Sequence, residues 1–102
     1  MLESTIVAAA ALALNKIEGC QAQKIHGSAY GHPTLDLLVC YKGQMLWLEA
    51  KQPGKKATDR QEATMRKWRK AGCICGVFTS KQEALDYLEQ VGIFLPEGGQ
   101  HD

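Results

Sequence analysis

Two apolar runs flank a single turn, and their register decides where three charged residues must go. Leu35 to Cys40 and Met45 to Lys51 read as strands on either side of the turn residues Lys42 and Gly43. With the turn there, Tyr41 lies opposite Gln44 and Asp36 falls opposite Glu49. A side-chain period of two then puts Asp36, Glu49 and Lys51 on one face. Directly opposed residues have Cβ atoms about 4.5 to 5.5 Å apart, where like charges destabilise the pair. A divalent cation would compensate, because Mg²⁺ takes hard oxygen ligands from one or two carboxylates. A lysine beside such an ion can orient or help deprotonate a water and offset charge developing on a phosphodiester. The ordinary reading is a solvated hairpin edge. Against it, both strands are otherwise apolar, with Leu35, Leu37, Leu38 and Val39 on one and Met45, Leu46, Trp47 and Leu48 on the other.

The rest of the chain supplies elements to hold that hairpin. Leu2 to Lys16 reads as a helix rich in Ala and Leu, ended by Gly19. Gln21 to His26 reads as a short strand, and Gly27 to Thr34 as a loop containing Gly31 and Pro33. Pro53 and Gly54 precede a second helix, Thr58 to Ala71, closed by Gly72. Cys73 to Thr79 is a continuous apolar run, the pattern of a strand buried on both faces. Ser80 and Glu83 form a capping box that starts a third helix reaching Gln90. Helix, three strands, helix, strand, helix predicts an α/β sandwich around a mixed sheet, with the last strand parallel to the one before the crossover helix.

A length of 102 residues suits one domain over 1–102, with 93–102 as a tail. The apolar stretch from Ile6 to Leu14 is too short to cross a bilayer, which takes about 20 residues, so no membrane partner is expected. Glu3 ahead of it, without a Lys or Arg, is the wrong charge for a secretory leader. Cys20, Cys40, Cys73 and Cys75 lack paired CxxC spacing and sit in or beside apolar runs, which favours buried thiols over a zinc or redox site and a cytoplasmic setting. The net charge of +1 hides an asymmetry: from Lys51 to Lys70 eight Lys or Arg stand against Asp59 and Glu62. Such a block suits a polyanionic partner or a solvated helix face, and charge alone does not choose.

Gly31-His32-Pro33-Thr34-Leu35-Asp36, twelve residues, then Glu49-Ala50-Lys51 resembles the PD-(D/E)XK nuclease superfamily. Pro53-Gly54-Lys55-Lys56 and Thr58-Asp59-Arg60-Gln61 resemble the segment after the lysine in its stand-alone virus-type replication-repair (VRR-NUC) domains. This sequence departs from the tight Pro-Asp pair, because Thr34 and Leu35 intervene. The resemblance implies a restriction-endonuclease-like αβββαβα core with a central mixed four-stranded sheet flanked by helices. It implies a DNA endonuclease using Mg²⁺, with Mn²⁺ as a substitute, acting on branched, flap or junction DNA and leaving 5′-phosphate ends. It also implies a homodimer, in a bacterial cell or a phage-infected host. The tail residues Ile93-Phe94-Leu95-Pro96 could serve the dimer contact or pack on their own core.

On that resemblance Asp36 and Glu49 bind the metal with the Ala50 carbonyl, Lys51 acts on the attacking water, and Glu3 matches an acidic contributor on the first helix. Glu3 shares a helical stripe with Val7, Ala10 and Leu14, but a first-turn carboxylate also suits the helix dipole. Gln61 matches a glutamine that holds Lys51 or a phosphate; it is equally the closing residue of a Thr58 capping box. Ser28, Lys55, Lys56 and Arg60 are candidate DNA contacts. His26 and His32 lack a second ligand at metal spacing and read as loop residues or phosphate contacts. Two rival functions remain: a catalytically silent DNA-binding module of the same fold, and a structural protein whose basic helix docks an acidic surface.

Overall fold

The computed structural model describes residues 2–26 and 34–91. The elements run α1 (Glu3–Leu14), β1 (Cys20–Lys24), β2 (Leu37–Tyr41), β3 (Gln44–Ala50), α2 (Asp59–Lys70), β4 (Ile74–Phe78) and α3 (Lys81–Asp86), with a 3₁₀ turn over Tyr87–Gln90. The sheet order is β1-β2-β3-β4; the first three strands are antiparallel and β4 runs parallel to β3. This is the mixed four-stranded α/β core that the element order predicts. The loop residues Ser28, Gly31, His32 and Pro33 and the tail 93–102 lie outside the described residues. No helix among the described residues is long and apolar enough to cross a membrane.

Lys42 and Gly43 both have positive φ, 51° and 86°, the mark of a two-residue type I′ turn whose twist matches that of the strands. The resulting register pairs Tyr41 with Gln44 and Leu37 with Leu48. Two cores form on the two faces. Ile6, Val7, Ala10 and Leu14 of α1 pack with Leu37, Val39, Leu46, Leu48, Phe78 and Leu88. On the other face Met65 of α2 packs with Leu35, Trp47, Cys73 and Cys75. Each fully buried aliphatic side chain contributes about 1.5–3 kcal/mol. All four cysteines are free thiols, and only Cys40 is more than slightly exposed.

The ends of the elements are closed by specific bonds. Thr58 and Gln61 form the full capping box at the start of α2. Its C-terminus closes on Gly72, at φ +101°, with the Gly72 and Cys73 amides donating to the Arg69 and Trp68 carbonyls, a Schellman motif. The box at α3 is only half formed. Ser80 Oγ accepts from the Glu83 amide, but the Glu83 carboxylate turns to the Thr79 amide and hydroxyl at 2.7 and 2.8 Å instead of the Ser80 amide. Thr79 offers two donors where Ser80 would offer one, which decides the competition.

Both edge strands have backbone groups taken by side chains. On β1 the Asn15 amide donates to the Ala22 carbonyl and accepts from its N–H at 3.0 and 2.7 Å. On β4 the Arg69 guanidinium donates to the Cys75 carbonyl, and the Tyr87 hydroxyl donates to that of Val77. Tyr87 crosses β4 over Gly76, where a Cβ would sit 2.0 Å from the phenolic oxygen.

Candidate active site

The hairpin carries its charges to the point where β2 ends and β3 continues. The β2–β3 ladder stops at Leu37 and Leu48, and Asp36 lies in a bend one residue beyond it. Its carboxylate replaces a ladder partner: Oδ2 accepts from the Ala50 amide at 3.0 Å. N–H and C=O of one strand residue point to the same side, so the Ala50 carbonyl also faces the Asp36 side of β3. β4 pairs with the other side, where Phe78 accepts from the Lys51 amide.

Glu49, 4% exposed, is one of two buried polar residues among those described. It sits on the α2 face of the sheet, two residues from Trp47 and opposite Val77. Oε2 is held twice, by the Gln61 side-chain amide at 2.9 Å and by the Lys51 ammonium at 3.6 Å. Oε1 is buried with no hydrogen-bond partner. Burial first, and then the Asp36 charge, push the Glu49 carboxyl up from 4.5 to about 7; Lys51 pulls the other way and does not cancel them. Asp36 also lies close enough to share a hydrogen bond with the protonated Glu49.

The donor chemistry suits a hard cation. Two carboxylates, one with a free buried oxygen, and a backbone carbonyl are the ligand types that Mg²⁺ accepts, with the remaining positions left to water or a phosphate oxygen. A cation there would partner Glu49 Oε1 and relieve the repulsion that raises its pKa. Glu3 is half-buried in the first turn of α1, and its charge reaches Glu49 as a minor influence. Among the described residues no group of three or more His, Cys, Asp or Glu side chains is gathered to hold a metal. The groups that could face such a cation here are Asp36 and Glu49, with the Ala50 carbonyl.

Gln61 holds Glu49, where the sequence suggested Lys51 or a phosphate. The two ends of its amide do separate work: Oε1 accepts from the Thr58 amide at 2.9 Å and Nε2 donates to Glu49. Lys55, Lys56 and Arg60 are exposed, on the loop after Lys51 and in the first turn of α2. His26 is exposed beyond β1, while Ser28 and His32 lie outside the described residues. Trp68, 44% exposed, rests edge-on against Trp47 with ring centroids 4.8 Å apart.

No family model matches the chain, and no curated protein matches it. Among solved structures, a chain described as a VRR_NUC domain superposes with a TM-score of 0.68 at 21% identity, over 91% of this chain and 97% of that one. The chain therefore has the fold of a VRR_NUC domain, a restriction-endonuclease-like core, along nearly its whole length.

Proposed function

We propose that the chain is a Mg²⁺-dependent DNA endonuclease that hydrolyses phosphodiester bonds, with branched or flapped DNA as its substrate. The observation that carries this reading is the buried Glu49 carboxylate beside the half-buried Asp36, with Glu49 Oε1 unpartnered and Lys51 next to it. The likeness to a domain described as VRR_NUC supports it at the level of fold.

Asp36, Glu49 and the Ala50 carbonyl would hold the cation. When bound, Mg²⁺ supplies Lewis-acid polarisation of a phosphoryl oxygen and lowers the pKa of a coordinated water. The chain's own residues do the remaining work. Lys51, with 12% of its side chain exposed, is anchored on Glu49 and presents its ammonium to a water or a non-bridging phosphate oxygen. Gln61 fixes the plane of the Glu49 carboxylate by occupying Oε2, which leaves Oε1 as the free ligand atom. Lys55, Lys56 and Arg60 contribute positive charge to the substrate side, and two copies of the chain would place two sites on two strands.

Duplex, flap and four-way-junction DNA incubated with Mg²⁺ or Mn²⁺ tests this. Wild type is expected to cut, and Glu49→Ala and Lys51→Ala to lose at least about a hundredfold in rate, as for removal of groups that stabilise transition-state charge. Cutting that persists undiminished in both variants overturns the mechanism. Metal-independent binding without cutting would make the chain a silent DNA-binding module.

A further inference from the structure

Three sulfur side chains meet beside β4, at the end of that strand away from Glu49. Cys73 and Cys75 flank Ile74, the first residue of β4, so as alternate residues they leave the sheet on one face, the face that α2 covers. Both are free thiols, 8% and 7% exposed. Each lies within hydrogen-bonding reach of the other, and the Trp47 backbone N–H donates toward both, so the two sulfurs converge. Met65 of α2, fully buried, packs into the same cluster. Arg69 locates its sulfur: Nη2 stands 3.9 Å from Met65 Sδ and 3.0 Å from the Cys75 carbonyl oxygen. One nitrogen thus bridges the thioether to the Cys75 backbone.

Core packing accounts for buried sulfur, since a thiol packs as a small hydrophobe. It does not call for a cavity against the thiols. One of about 390 Å³ is lined by Cys73 and Cys75 together with Arg69 and Gly72, which are exposed, so a solute reaches the two thiols without opening the core. Cys20 and Cys40 have no such arrangement. Cys20 stands opposite Tyr41, so Cys40, the neighbour of Tyr41, leaves the sheet on the other face.

We propose that Cys73, Cys75 and Met65 form a site for a soft monovalent cation, Cu(I), held by two thiolates and a thioether at the floor of this cavity. Thiolate and thioether sulfur suit Cu(I), which needs no fourth ligand here. Zn²⁺ asks for a tetrahedron of four, and among the described residues no group of three or more His, Cys, Asp or Glu is gathered to supply one. Binding forms two bonds from copper to thiolate sulfur and one to the thioether, and the two thiol protons leave to solvent. No electron moves, because the cation enters and stays as Cu(I). Two thiolates around one Cu(I) leave a single negative charge, and the Arg69 guanidinium, already against Met65 Sδ, lies where it offsets that charge. Burial pushes the Cys73 thiol up to about 12, which keeps it protonated and inert until a cation of strong sulfur affinity displaces the proton. The site shares no residue with the Asp36–Glu49 pair and stands apart from the nuclease reading.

Cu(I) supplied as its acetonitrile complex under anaerobic conditions, with a chromogenic Cu(I) chelator as competitor, tests the site. The full chain is expected to keep one Cu(I) per molecule against the chelator, with an unchanged far-UV spectrum and only sulfur neighbours in copper-edge X-ray absorption. Cys20→Ala combined with Cys40→Ser should leave retention intact. Cys73→Ser and Cys75→Ser should each abolish it. Arg69→Leu, which removes the neighbouring charge, should weaken binding about tenfold. Met65→Leu keeps the volume of the core and should weaken binding at least as much, a readout that stands even where a cysteine variant fails to fold. Copper lost from the chain without Cys20 and Cys40 overturns the site, as does copper kept by Cys73→Ser or indifference to Met65→Leu. Nitrogen or oxygen neighbours around the metal, or a loss of helix signal on loading, overturn it equally, since the copper would then lie elsewhere or on an unfolded chain.

Discussion

The Gln61 side-chain amide donates to Glu49 Oε2 at 2.9 Å while its oxygen accepts from the Thr58 backbone amide at the same distance. One side chain therefore ties the start of α2 to the carboxylate on β3, and the cap of a helix fixes the orientation of that carboxylate.

That double attachment can be taken apart by mutation. Thr58→Ala removes the side-chain cap and should cost about 0.5–2 kcal/mol, with cleavage kept, because the Thr58 N–H still anchors Gln61. Gln61→Ala loses both attachments and should lower stability and cut the rate at least tenfold. Gln61→Glu restores the capping oxygen but not the donor, so it should recover the cap without the rate. Urea midpoints and single-turnover cleavage measured side by side check all three.

Glu49 makes stability depend on pH in an unusual direction for a carboxylate. Its pKa is raised from 4.5 to about 7, chiefly by burial and then by Asp36, so between those values the folded chain binds more protons than the unfolded one. Stability is therefore fully present below 4.5 and falls as pH rises through about 7, by up to about 3 kcal/mol. Urea unfolding in EDTA at pH 5 and pH 8 should show the loss, and Glu49→Gln should flatten it. Mg²⁺ should restore stability at pH 8 and do little at pH 5, where it must displace a proton.

Lys51 opposes the rise at Glu49. Lys51→Met should therefore move the Glu49 titration above about 7, a shift readable in the side-chain carboxyl resonance by NMR. A midpoint that stays put would mean the ammonium, 3.6 Å away, is screened by solvent.

Gly76 is fixed by packing. Gly76→Ala would set a Cβ 2.0 Å from the Tyr87 hydroxyl, and overpacking of this kind costs about 1–3 kcal/mol. Combining it with Tyr87→Leu, which removes the hydroxyl and the ring, should cost less than the sum of the two changes, as a double-mutant cycle by chemical unfolding would read.

Most of the fold was legible because period-two strands and capped helices announce themselves locally. Lys42-Gly43 set the hairpin register, and with it the approach of Asp36 to Glu49. The ends of most elements were read within a residue or two, but the third helix, expected to reach Gln90, is α-helical only to Asp86 and passes into a 3₁₀ turn; at its start, competition between neighbours decides, as Thr79 shows by drawing Glu83 away from Ser80. Gln61 was legible only as two rival roles, since spacing does not reveal that an amide can serve both through its two ends. Burial of Glu49 depends on which strands α2 covers, a long-range fact that no local pattern carries.

Asn15, Arg69 and Tyr87 have a consequence beyond local bonding. Unpaired strand edges are the templates on which copies of a β-rich protein assemble into amyloid-like stacks. Here the middle of each outer strand already has side-chain partners, and an incoming strand would have to displace them. Those bonds make the two edges of the sheet poorer templates for a further strand.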